Sequence, residues 1–281
     1  MLLEIVFIAG LINFVAHYYG LMKNFSAFTL TLWLLGGMVL LFIAAPLLGL
    51  FLSTGAPKLF DTIQDREVTR SISLTLWASM AATIIFAIGA IPLAWLLARR
   101  KFRFKGLVNA LIDLPIVIPH SAAGIAILGL VSRDTLLGRI GESMGLSFVS
   151  NPAGIIIAMA FVSLPFLINA ARDGFSAVPE KLEKAAYNLG ASPMRVFFTI
   201  SLPLAWRSIV SGLIMMFARG MSEFGAVVIV AYHPMTTPVL IYERFGSFGL
   251  SYAQPVAVIF ISICLLFFAL LRYFSNRTAL D

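Results

Sequence analysis

Long apolar runs set the pattern of this chain. Six of them stand out: Leu30–Leu52, Ile72–Leu97, Leu107–Val131, Ala153–Ala171, Ile209–Ala231 and Pro255–Tyr273. A bilayer core about 30 Å thick needs about 20 apolar residues of helix to cross it. Each run has that scale, and none alternates polar and apolar positions as a barrel strand does. Helices are therefore predicted, because a lipid-exposed segment must satisfy its own backbone. A seventh run, Leu2–Tyr19, carries Glu4, Asn13 and His17. It spans, or lies in the interface, or precedes a start at Met22; its acidic residue and missing basic start argue against a signal peptide. The expected organisation is an apolar segment over residues 1–26 and a transmembrane domain over residues 27–281.

Composition agrees. The 281 residues are 60% hydrophobic and 12% charged, with a mean hydropathy of +0.97. A soluble domain carries roughly 25% charged residues. A cytosolic enzyme, a disordered regulator and a disulfide scaffold are excluded on that ground. The lone Cys264 allows no disulfide and no multi-thiolate metal site within the chain.

The net charge of +7 invites a nucleic-acid reading, but in a membrane chain it means basic cytoplasmic loops. Lys23, Arg99, Arg100, Lys101, Arg103, Lys105, Arg172, Lys181, Lys184, Arg195, Arg207, Arg272 and Arg277 all fall on one side. The other side has Lys58, Arg66, Arg70, Arg133, Arg139 and Arg244, with nearly as many acids. The even-numbered spans are expected to end in the cytoplasm, and so is the C-terminus. No nucleotide-binding or zinc-protease motif occurs, so uphill transport would need an ion gradient or another subunit.

The cytoplasmic loop 172–207 is long and organised. Pro179 suits a first helical turn. Leu182, Ala185, Ala186 and Leu189 recur at helical spacing and form one narrow apolar stripe. Gly190 falls where a left-handed C-terminal residue is needed. Ser192 and Pro193 make a fresh N-cap and first turn, and Pro203 is expected to break the next helix. By periodicity alone the stripe packs on its own bundle or docks on a partner.

Lys184-Ala185-Ala186, three residues, Gly190, nine residues, Ile200, Ser201, Leu202 and Pro203 resemble the Glu-Ala-Ala loop of ABC-importer permeases. The match covers 20 positions with the family's spacing. Lys184 occupies the family's glutamate position, with Glu183 beside it. The resemblance implies that Glu183, Lys184, Ala185, Ala186, Gly190, Ala191, Ser192, Pro193, Leu202 and Pro203 form a coupling loop for a separate ATPase.

Four ionisable residues lie in or at the edge of spans: Asp113, His120, Arg219 and Glu223. Each costs about 2.5–3.5 kcal/mol at a membrane centre on insertion scales. Arg219 and Glu223 are four apart on one helix face and can neutralise each other. They form a structural pair or line a pathway. Pro115 and Pro119 each remove a helical hydrogen bond, so the third span is expected to be bent or broken. Ser121, Ala122, Ala123 and Gly124 allow close helix approach. Asp113, Pro119, His120, Ser121, Arg219, Ser222 and Glu223 are the candidate pathway or gate residues.

The stretch from Asp113 through Gly124 is similar to oxyanion permeases, as are Ala218–Ala226 and Pro234–Tyr242. Within them it is most similar to molybdate/tungstate permeases, with sulfate permeases next. The resemblance implies an all-α membrane protein with a six-helix type I importer core, acting as a homodimer in a prokaryotic plasma membrane. It implies two ATPase subunits that bind ATP and magnesium, no cofactor on this chain, and an extracytoplasmic oxyanion-binding protein. Selectivity is expected in that binding protein, because the sequence displays no multi-arginine anion cage. The rivals are an ion-coupled transporter using Asp113, Glu223 or His120, a membrane enzyme, and a permease for another solute such as phosphate or an amino acid.

Overall fold

The computed structural model describes residues 27–277, all of whose regular structure is helical. The segment 1–26, its proposed span over Leu2–Tyr19, and Lys23 lie outside the described residues. The chain divides into two compact units, residues 1–54 and 55–281.

The first unit contributes α1, Ala27–Ser53. Its side chains are almost all apolar around the whole circumference and mostly exposed; Phe42 and Leu52 are at least four-fifths accessible. A helix that is hydrophobic all round belongs in lipid.

The second unit opens with α2, Ala56–Gln64, and α3, Arg66–Arg99. Asp65 caps α3 by accepting from the Glu67 N–H at 2.8 Å. At 1.5 Å per residue α3 is about 50 Å long, so its ends project beyond a bilayer core. Its buried face is built from small residues, including Ser71, Thr75, Ala78, Ser79, Ala82 and Ala90. Such a face lets helices approach where no hydrophobic effect drives them together.

Next come α4, Lys105–Val117, α5, His120–Val131, and α6, Leu136–Ser143. Then α7, Pro152–Ala177, runs through the centre. More than half of its apolar core is buried, against about a third for α3. The loop helix α8, Glu180–Asn188, and the short α9, Pro193–Val196, follow. A π turn, Phe197–Ser201, leads into α10, Leu202–Met221. Helices α7 and α10 pack through glycine. A Cβ on Gly174 would lie 2.5 Å from Ser208 Cβ, and one on Gly212 would lie 2.9 Å from Ala170 Cβ. The unit ends with α11, Gly225–Val230, α12, Thr237–Phe248, and α13, Leu250–Arg277.

Among the described residues, five helices are long and apolar enough to cross a membrane, or six if α4 and α5 form one span. The expected break in the run Leu107–Val131 is present: α4 and α5 meet at 113°. The break falls at Ile118–Pro119, while Pro115 stays inside α4. Proline pushes the residue before it out of the helical region, and Ile118 is extended at φ −72°, ψ 148°. Two other expectations change. The run Ile209–Ala231 also breaks, because α10 ends at Met221 and α11 starts at Gly225. Pro203, by contrast, breaks nothing. The helix is continuous from Pro193 to Met221, and the Leu202 N–H reaches back five residues to the Phe197 carbonyl. The wider π turn just before Pro203 absorbs its missing N–H and its ring.

Candidate functional site

Helix α8 has its polarity reversed relative to a surface helix. Its buried residue is Glu183, only 5% exposed, while Leu182 and Ala185 are exposed and Leu189 is 89% accessible. Ala186 is half-buried. Gly190 takes φ +82°, and the Ala191 N–H closes on the Ala186 carbonyl at 3.0 Å, which ends the helix as its sequence signals. Ser192 then caps α9, accepting from the Arg195 N–H at 3.3 Å with Pro193 in the first turn. Pro203 is exposed and Leu202 packs partly against the core.

What turns the carboxylate inward is Arg99, the last residue of α3. Its Nε donates to both oxygens of Glu183, at 3.0 and 2.9 Å. Its Nη2 donates to the Val178 carbonyl at the end of α7, 3.0 Å away. Ser201, in the π turn, adds a 2.6 Å hydrogen bond to Glu183 Oε1. One carboxylate therefore fastens α8 to the ends of α3 and α7 and to the start of α10. Lys184, at the motif's glutamate position, points outward and pairs with Glu180 at 3.0 Å. The Lys184 hydrogen bond holds the Glu180 carboxyl below its ordinary range. Aromatic rings back the clamp: Phe197 meets Trp95 edge-on at 5.6 Å and Phe175 at 6.0 Å.

The second cluster forms where both broken spans turn. Helices α5 and α11 cross closely. A Cβ on Gly124 would lie 2.8 Å from Ile229 Cβ, and one on Gly225 would lie 2.7 Å from His120 Cβ. That contact sets His120, first residue of α5, over Glu223. Glu223 is fully buried. Its Oε1 accepts the Ala226 N–H at 2.8 Å near the start of α11. Its Oε2 lies 2.9 Å from Arg219 Nη2 and 3.1 Å from His120 Nδ1. Neither contact has hydrogen-bond geometry, so this oxygen is held by charge. Arg219 also reaches the His120 ring nitrogens at 2.9 and 3.0 Å, and Ser222 Oγ at 3.3 Å.

Four of the sequence candidates therefore meet: His120, Arg219, Ser222 and Glu223. Pro119 makes the break that aims His120. Ser121 is exposed beside it. Asp113 lies elsewhere; on α4 it accepts from Asn169 Nδ2 of α7 at 2.7 Å. Sequence reasoning missed three partners. Arg99 counted only as a cytoplasmic charge, and Ser201 only as a spacer. Asn169 was the one legible signal, an amide inside an apolar run. No cluster of His, Cys, Asp and Glu able to hold a metal occurs among the described residues.

Residues 90–280 match the model of the family described as binding-protein-dependent transport system inner membrane component. The chain is 44% identical over 245 residues to the molybdate/tungstate transport system permease protein of Pyrococcus abyssi, covering 86% of this chain and 94% of that one. It is 44% identical over 239 residues to that of Methanocaldococcus jannaschii, covering 85% and 93%. A probable sulfate transport system permease protein of Chlorokybus atmophyticus is 34% identical over 196 residues, or 68% of each chain. A bacterial ABC transporter involved in alginate import superposes with a TM-score of 0.70 at 18% identity, over 89% of this chain and 96% of that one. At that identity the likeness speaks for the fold, which is that of an ABC importer's membrane component. With its apolar helices and its match over most of its length, this chain is a multi-pass membrane protein belonging to the family of binding-protein-dependent transport system inner membrane components.

Proposed function

We propose that this chain is the permease subunit of an ATP-driven importer of molybdate and/or tungstate, the solutes named for its 44% identical relatives. One observation carries the coupling role. Helix α8 buries a carboxylate and offers Leu182, Ala185 and Leu189 to the outside. That surface suits a cleft on a separate ATPase, where ATP and magnesium bind. The permease acts as a homodimer, with the C-terminus and α8 in the cytoplasm and an extracytoplasmic binding protein delivering the oxyanion. The distribution of Lys and Arg supports that orientation.

The clamp suggests how force travels. When the ATPases close, α8 moves with them. Glu183 passes that movement to Arg99 on α3 and to Ser201, the foot of the continuous Pro193–Met221 helix. The far end of that helix carries Arg219, whose contacts to Glu223 and His120 join it to α5 and α11. The polar cluster is the gate of the pathway.

The test is co-purification with the ATPase, followed by ATP hydrolysis assayed with the binding protein. Hydrolysis should rise on adding molybdate or tungstate. A sulfate permease is the second reading, because sulfate permease proteins also match and sulfate is another tetrahedral dianion. Stimulation by sulfate alone would select it. Transport that persists without ATP and collapses with the membrane gradient would reject both.

A further inference from the structure

At the start of α3, Asp65, Arg66, Glu67 and Arg70 read in sequence as a neutral patch. The fold separates their charges. Arg244 of α12 takes both acids, its Nη2 lying 2.5 Å from Asp65 Oδ2 and 3.2 Å from Glu67 Oε2. Both guanidinium groups of Arg66 and Arg70 are left without an ion pair among the described residues. They lie four residues apart, hence on one face of the helix. Both line a cleft of about 620 Å³, together with Ser71, His233 and Met235. Glu67 lines it too and shares Arg244 with Asp65, so three arginines face two carboxylates and the patch stays net positive.

A net-positive cleft with an imidazole and two guanidinium groups outside any ion pair among the described residues suits a tetrahedral oxyanion. Each guanidinium presents a fork of N–H donors to a pair of anion oxygens. Its exposure keeps the attraction weak and salt-sensitive, which a transport pathway requires, since the ion must leave as well as enter.

We infer that this cleft is a transient oxyanion site at the extracytoplasmic mouth of the permease, where Arg66 and Arg70 receive the anion as the binding protein releases it. The inference rests on the oxyanion-importer reading and its orientation, and assigns that reading a substrate contact on this chain.

Equilibrium dialysis of the detergent-purified permease–ATPase complex against tungstate, without binding protein or nucleotide, tests it. Wild type is compared with the Arg66→Gln/Arg70→Gln double variant and with Arg70→Lys. The double variant should lose one class of tungstate sites or bind there at least about tenfold more weakly. Arg70→Lys should retain part of the binding, because it keeps the charge and loses the fork. Any oxyanion held by the ATPase is common to all samples and subtracts out. Both arginines are exposed, so unfolding temperature and ATPase co-purification should not change. Superimposable binding curves for wild type and the double variant overturn the inference. So do equal curves with weaker capture of the binding protein, which would assign the arginines to an acidic protein surface. Failure of the importer reading shows separately, as wild-type complex whose ATP hydrolysis ignores oxyanion-loaded binding protein.

Discussion

Arg99 and Glu183 stand 84 positions apart in sequence and meet through two hydrogen bonds from one guanidinium nitrogen, at 3.0 and 2.9 Å. The pair ties the proposed docking helix to the ends of two spanning helices, through Arg99 itself and through Val178. Breaking a buried pair by removing one partner costs about 3–5 kcal/mol, because the other charge is stranded. Both side chains here are less than a tenth exposed. Glu183→Ala and Arg99→Ala should each lower thermal stability and reduce oxyanion-stimulated ATP hydrolysis. The double variant should lose less than the sum of the singles. Additive losses in that cycle would mean the two residues act independently.

Gly190 leaves α8 at φ +82° with open space where a Cβ would stand. The constraint is therefore conformational, not steric. Gly190→Val should cost about 1–2 kcal/mol in backbone strain and impair ATPase coupling or assembly. Gly190→Asn should be milder, since asparagine visits this region more readily. Wild-type assembly and transport by the valine variant would remove the docking assignment.

Glu223 is fully buried between Arg219 and His120. Glu223→Ala strands Arg219 and frees the start of α11, whose Ala226 N–H it accepts. Transport or stability should change while ATPase co-purification stays intact, because the clamp at Glu183 is untouched. Loss of co-purification would contradict the proposed gate role of this residue.

Asp65 gives a pH dependence of definite sign. Burial alone would raise its carboxyl, but hydrogen bonds from Arg244 and the Glu67 N–H bring it below the ordinary value. A carboxyl depressed in the folded state stabilises above its unfolded pKa, about 3.9. That contribution is lost as pH falls through the lower folded value. Asp65→Asn should therefore destabilise at neutral pH and flatten the acid limb of a thermal-unfolding profile. The effect should be small, since the side chain is 38% exposed and solvent screens it. An unchanged acid limb would show that the Arg244 contact adds nothing.

The all-helical membrane class, the loop's two helices, the left-handed Gly190 and the Ser192 cap were legible in the sequence. Each rests on spacing or on one residue's own backbone preference, which neighbours three or four positions away decide. The same holds for the break near Pro119, because proline constrains Ile118 directly. It did not hold for Pro203, whose cost a π turn absorbs.

The Arg219–Glu223 pair, four positions apart, was legible in the sequence; tertiary structure alone decided which charges meet across the fold. Nothing near Glu183 in the chain names Arg99, and nothing near Arg66 predicts that Arg244 takes Asp65 and Glu67 instead. An ion pair in a low-dielectric interior is chosen by which helix ends converge. Gly124, Gly174, Gly212 and Gly225 set that convergence by letting backbones touch. The sequence by itself therefore determined that this chain is a helical membrane protein with an organised loop between its fourth and fifth apolar runs. Packing decided that the loop turns its carboxylate inward and its leucines out, and that His120 closes over Glu223, because burial removes water and leaves each charge only the partners the fold brings to it.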